Sequence, residues 1–187
     1  MSWRGQSAGK IHLHNRTPIR VGSYIAGFVD GEGSFHVTFR PRKDYPTGWK
    51  VSLCLNVAQK DCTVLNLIAE TLKCGTLRQR SQDSVWYFEV NNLEEIRQKV
   101  IPYFEKFGFI SKKKSADFQM FKQIATLLHL KKERTARGIR EILLLRNNMN
   151  YGGKSKYSNS VIWRRCLRKC KSSETIRQAY IPRRKKI

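Results

Sequence analysis

Acidic residues are scarce in this chain. Asp and Glu number 14 against 37 Lys and Arg, which leaves a formal charge of +23 and an isoelectric point near 10.3 over 187 residues. Solubility needs far less, so a polyanion is the natural partner, because each neutralised phosphate releases counterions. A ribosomal protein and a membrane-surface binder are the bland alternatives. No apolar run approaches the roughly 20 residues of a membrane span, so a transmembrane protein is excluded at this stage. The five cysteines, Cys54, Cys62, Cys74, Cys166 and Cys170, are odd in number and form no CxxC pair. A disulfide framework is therefore disfavoured against free thiols in a reducing compartment. Cys166 and Cys170 stand four apart in a basic stretch without a second ligand pair, which makes zinc the weaker reading there. Residues 1–16 contain no acid at all. They have a superficial likeness to a transit peptide but lack its apolar stripe, and read better as a basic arm.

What is present is one domain of about 130 residues between two basic ends. Residues 1–16 form the arm, 17–150 the folded domain and 151–187 a basic extension with Glu174 as its only acid. Ser23 is expected to cap a short helix over Tyr24–Asp30, ended by Gly31 and Gly33. From Phe35 the period becomes two. Phe35, Val37 and Phe39 alternate with His36, Thr38 and Arg40, and after a turn Val51, Leu53, Leu55 and Val57 alternate with polar neighbours. Asp61 opens a helix that Gly75 closes. Two more strands, around Leu77 and Trp86–Val90, flank a polar turn. Asn92 and Glu95 suit a capping box, Ser111 opens a long helix, and another spans about Ala136 to Asn148. A short helix near Trp163–Lys169 is expected in the extension. The order αββαββααα predicts an α+β fold, an antiparallel sheet with helices on one face.

The outward face of that sheet is expected to carry His36, Thr38, Arg40, Lys50, Ser52, Asn56, Arg78, Arg80 and Tyr87, with Arg42 in the adjoining turn. Nearly all are hydrogen-bond donors. A β-ribbon fits the major groove, where Arg reads guanine and Asn reads adenine. Double-stranded DNA is therefore the expected partner.

The segment Ile25-Ala26-Gly27-Phe28-Val29-Asp30-Gly31-Glu32-Gly33 is the most informative. Gly27 and Gly31 stand four apart on one helix face, where two copies could pack backbone to backbone. Glu32 falls at the helix end beside the basic sheet. A carboxylate there repels DNA unless a cation bridges it to phosphate, and Mg²⁺ commonly binds through one or two carboxylates plus phosphate. An acidic helix end with only a structural role is the competing reading.

These nine residues resemble the LAGLIDADG motif, and the likeness continues into Ser34-Phe35. The resemblance implies the αββαββα fold of homing endonucleases, covers about residues 20–130, and finds no second motif copy between 90 and 187. Single-copy members of that family are homodimers, which makes Gly27 and Gly31 interface residues. The family's catalytic acid corresponds to Glu32, and Gly31 to the position whose carbonyl also meets the metal. Leu53 to Lys60 resembles the second strand of single-motif members and places Gln59 near the catalytic water. Ile110 to Lys114 resembles the segment supplying a catalytic lysine, mapped to Lys112 with Lys113 and Lys114 left open. Ser173 to Arg177 resembles a stretch touching the DNA backbone, which brings in Thr175 and Arg177. The implied activity is site-specific cleavage of a long pseudo-palindromic target, leaving short 3′ overhangs and promoting intron mobility. Mg²⁺ or Mn²⁺ would support it, and Ca²⁺ would bind without supporting it. An organelle is the implied compartment. An RNA-splicing maturase and a non-catalytic DNA-binding protein on the same fold are the alternatives.

Overall fold

The computed structural model describes the backbone of residues 18–149 and 156–179, and the side chains of 19–149 and 156–171. The arm, the Gly152-Gly153 break and the last eight residues lie outside these ranges. So do the side chains of Thr175 and Arg177.

The first helix, α1 (Pro18–Glu32), is twice the expected length. Ser23 does not cap it but sits exposed in its middle, and Gly31 is helical. Proline at its first residue lacks the N–H that would have no helical partner there, and this start signal outweighs the serine. Strand β1 (Gly33–Pro41) follows directly, then β2 (Trp49–Gln59). Helix α2 (Thr63–Leu72) starts where Asp61 accepts the Thr63 N–H at 2.9 Å. It ends not at Gly75 but at Lys73, which takes the left-handed conformation at φ 50°. Strands β3 (Thr76–Gln79) and β4 (Trp86–Val90) complete an antiparallel sheet of order β1-β2-β4-β3.

Beyond the sheet the chain is helical. Asn92 caps α3 (Leu93–Glu95), which runs through a π-helical turn at Ile96–Val100 into α4 (Ile101–Phe107). Ser111 caps α5 (Lys112–His129). A 3₁₀ turn at Lys132–Arg134 leads to α6 (Ala136–Asn148). The last helix, α7 (Asn159–Ala179), is far longer than the expected single turn or two.

Alternation decides what is buried. Leu53, Leu55, Val57, Phe88 and Val90 project from one sheet face into a core shared with Ile25 and Val29 of α1. Phe35, immediately after the motif, is fully buried, with its ring centroid 4.8 Å from Phe121 and 5.6 Å from Phe118 of α5. Burying side chains of this size contributes about 1.5–3 kcal/mol each, and this cluster fixes α5 against the end of α1. Ile162 and Cys166 of α7 are also fully buried. Among the described residues, no helix is long and apolar enough to cross a membrane.

Candidate functional site

The end of α1 is the first part of the site. Glu32 is its last residue, is exposed, and makes no hydrogen bond or ion pair with a described residue. Asp30, two residues earlier, is fully engaged. Its carboxylate accepts the N–H groups of Ser111 at 2.9 Å and Ile110 at 3.1 Å, and the Ser111 hydroxyl. Partial burial works to raise its pKa, but these hydrogen bonds together hold it below the usual carboxylate value. Asp30 thus ties the end of α1 to the start of α5 and has a structural occupation.

That tie selects among the three lysines. Ser111 is the N-cap of α5, so Lys112, Lys113 and Lys114 occupy the first three helical positions and point about 100° apart. Lys112 is exposed, and Lys113 pairs with Asp117 one turn on. Lys114 reaches back to donate to the carbonyl of Gly33, the residue after Glu32. Burial lowers its pKa, opposed by the charges of Asp30, Asp117 and Glu32. Of the three lysines left open by the resemblance, which mapped Lys112 first, Lys114 is the one that contacts the residue following Glu32.

Gln59 ends β2. Gly33 pairs with Val57, so Gln59 runs past the start of β1, alongside the end of α1. Its Oε1 accepts the Lys60 N–H at 3.0 Å. Glu32, Gln59 and Lys114 thus gather at one end of the sheet.

A metal would find hard oxygen donors here. Glu32 offers a free carboxylate, and at Gly31 nothing lies within 4 Å of where a Cβ would stand. No group of three or more His, Cys, Asp or Glu among the described residues could hold a metal ion. The donor set fits Mg²⁺ or Mn²⁺ only if phosphate, water or a second copy completes it.

The sheet's outer face is the second part. Register places Ser34 opposite Asn56, His36 opposite Cys54, Thr38 opposite Ser52 and Arg40 opposite Lys50, all on the face away from the core. Asn56 stands opposite Glu89, and Arg78 opposite Tyr87. Arg80 lies just beyond β3, and its guanidinium and that of Arg78 stand 5.1 and 5.4 Å from the Tyr87 ring. Arg42 lies in the turn and is paired with Asp44 at 2.7 Å. Sequence reasoning left out Glu89, although its alternation with Phe88 and Val90 put it on this face. Its carboxylate accepts from Asn56 Nδ2 at 2.9 Å and from two nitrogens of Arg78 at 3.1 and 3.2 Å. Burial, then the Glu89 charge, push the neighbouring Cys54 thiol to about 11, so it stays protonated.

The third part is the outer stripe of α1. Tyr24 is 52% exposed, and Gly27 and Gly31 follow at helical spacing, both exposed. Each glycine has open space where a side chain would be.

A family model described as LAGLIDADG endonuclease matches residues 25–125. The chain belongs to the LAGLIDADG endonuclease family. Within that family it is similar to a probable intron-encoded endonuclease 2 of Neurospora crassa, at 35% identity over 151 residues, covering 75% of this chain. It spans only 33% of that relative's length. Among solved structures, the archaeal intron-encoded homing endonuclease I-Vdi141I, complexed with DNA, superposes with a TM-score of 0.73 at 25% identity, over 79% of this chain and 95% of that one. The meganuclease I-SmaMI, bound to uncleaveable DNA, gives 0.67 at 29% identity, over 71% of this chain and 45% of that one. I-SmaMI has also been seen on uncleaved DNA with calcium ions. The LAGLIDADG αββαββα fold, with its antiparallel sheet and helices behind, is thus the fold of this chain.

Proposed function

We propose that this LAGLIDADG chain is a metal-dependent, site-specific DNA endonuclease that acts as a homodimer. The observation that carries the reading is the exposed Glu32, unpaired among the described residues, standing at the end of a donor-rich sheet with Lys114 nearby. A bare carboxylate facing DNA is unfavourable by itself, and becomes useful when a cation joins it to a phosphate.

Two copies would meet along Tyr24, Gly27 and Gly31 of α1. This brings both Glu32 side chains to the dyad, and each copy cuts one strand of a pseudo-palindromic target, leaving short 3′ overhangs. The nearly complete coverage of I-Vdi141I, against less than half of I-SmaMI, supports a one-copy building block. His36, Thr38, Arg40, Lys50, Ser52, Asn56, Arg78, Arg80 and Tyr87 would read base edges in the major groove, with Arg42, Thr175 and Arg177 on the DNA backbone. Glu32 and the Gly31 carbonyl would hold Mg²⁺ or Mn²⁺ against the scissile phosphate. When bound, that ion supplies a water acidic enough to attack near neutral pH. Gln59 orients the attacking water, and Lys114 offsets charge developing on phosphate. Ca²⁺ would bind here without supporting cleavage. The intron-encoded relative supports a role in intron mobility and an organellar location.

The test is cleavage of DNA from the gene flanking this reading frame, in Mg²⁺. Glu32→Gln is expected to abolish cutting while duplex binding persists. Lys114→Gln is expected to slow cutting by about a hundredfold or more, whereas Lys112→Gln leaves it near wild type. Wild-type rates for Glu32→Gln refute the reading, and the reverse order of the two lysine variants refutes the placement of the cation.

A further inference from the structure

Helix α7 closes over the β1–β2 turn, at the opposite end of the sheet from Glu32. Its docking is specific. Trp49, 1% exposed, donates from Nε1 to the Ile162 carbonyl at 3.0 Å. The Tyr157 ring packs edge-on at 5.1 Å, and the Arg165 guanidinium stands 5.2 Å from the indole. Gly48, at φ 77°, lets the turn approach the helix, since a Cβ there would stand 3.1 Å from Lys169 Cγ and 3.2 Å from Arg165 Nε. Residues more than a hundred positions apart are thereby held together at fixed geometry.

Between turn and helix lies a cavity of about 400 Å³ lined by Lys43, Arg165, Arg168 and Lys169. All four lining residues are cations. Lys43, Arg165 and Arg168 make no ion pair with a described residue. The Nε of Arg165 is buried without a hydrogen-bond acceptor, an arrangement that costs stability. Like charges around one cavity also repel. An oxyanion would relieve the repulsion, and a guanidinium fork suits phosphate. Strand β1 has nine residues, so the cavity lies roughly 30 Å from Glu32 along the sheet, or roughly 8–9 base pairs of duplex.

We infer that this cavity seats a backbone phosphate of the DNA at the outer end of each half-site, which makes Lys43 and α7 a sequence-independent anchor beyond the base-reading face. The inference rests on the DNA-binding part of the reading above and not on scission. The experiment uses the full chain and measures affinity for a duplex of arbitrary sequence between 50 and 200 mM salt. The site variant is Lys43→Glu with Arg168→Glu, both exposed. The control is Lys106→Glu with Lys122→Glu, which changes the charge equally on the helical side. Losing one phosphate contact in each half-site, two per dimer, makes the log–log salt slope shallower by about 1.8, at about 0.9 per contact. The affinity drop across that salt range is then about tenfold smaller than in wild type, while the control keeps the wild-type slope. Equal slopes in both variants overturn the proposal. So does a cavity that serves only a free anion, seen as stabilisation by inorganic phosphate that the site variant loses while its DNA slope stays unchanged. A wild type that binds duplex but fails to cut with Mg²⁺ counts against the nuclease and leaves this test intact. A wild type that binds no duplex sinks both.

Discussion

Replacing Gly27 and Gly31 together by alanine separates a lone chain from a dimer by the sign of one measurement. In a single copy both positions are helical and exposed, with nothing within 4 Å of the added methyl. Alanine is better than glycine inside a helix by about 0.8–1.0 kcal/mol per site. The pair would then stabilise a monomer by about 2 kcal/mol, which is roughly 4–8 °C in Tm for a chain of this size. In a dimer whose α1 helices touch at these glycines, the same methyls enter a close-packed seam. Overpacking of that kind costs about 1–3 kcal/mol, and each 1.4 kcal/mol is tenfold in Kd. The dissociation constant should therefore rise by about 5- to 140-fold, and Tm at low protein concentration should fall. Sedimentation at several concentrations, alongside thermal melts, reads both. A variant that melts higher than wild type and sediments identically refutes the α1 interface, since the glycines would then be protecting nothing.

Two further outcomes follow from the site. Asp30→Asn should lose about 1 kcal/mol at pH 7, the scale of a lost helix cap, because Asp30 holds the start of α5. The folded-state pKa of Asp30 is depressed below 3.8, so its contribution is present above that value and disappears as pH falls through the folded value. Urea unfolding should show the gap between wild type and variant narrowing as pH falls below 3.8, and a gap that stays the same from pH 7 downward refutes the role of the charge. Arg80→Ala should relax preference at one base position per half-site by about 1–3 kcal/mol in a target-library selection, whereas uniform weakening of all sequences would put Arg80 on phosphate.

Much of the fold was legible because its signals are periodic. Phe35 to Arg40 and Lys50 to Val57 alternate so regularly that strand and face followed from side-chain type alone. Helix ends were harder. Ser23 has the chemistry of a cap but lies within a helix already begun at Pro18, and Lys73 takes a left-handed turn that sequence assigns to Gly75. The place of Glu32 at the end of a helix was readable from the motif. Which of the three consecutive lysines turns back toward that helix end was not, because they differ only in helical phase, which the Ser111 cap and its bond to Asp30 determine. Glu89 was overlooked although alternation placed it correctly, since an acid on a face meant for DNA is out of place until its partners are seen. The cation-lined cavity joins residues too distant in sequence for any local pattern to bring together.

Glu89 also bears on how such a protein changes its target. Side chains on the outer face can be exchanged with little effect on the core, which favours adaptation one base at a time. Asn56 and Arg78 depart from this, because both lean on one carboxylate. A substitution at either releases or reorients the other, so their effects on base preference will not add. Retargeting at that spot must proceed by paired changes, and libraries that vary Asn56, Arg78 and Glu89 together will reach specificities closed to stepwise selection.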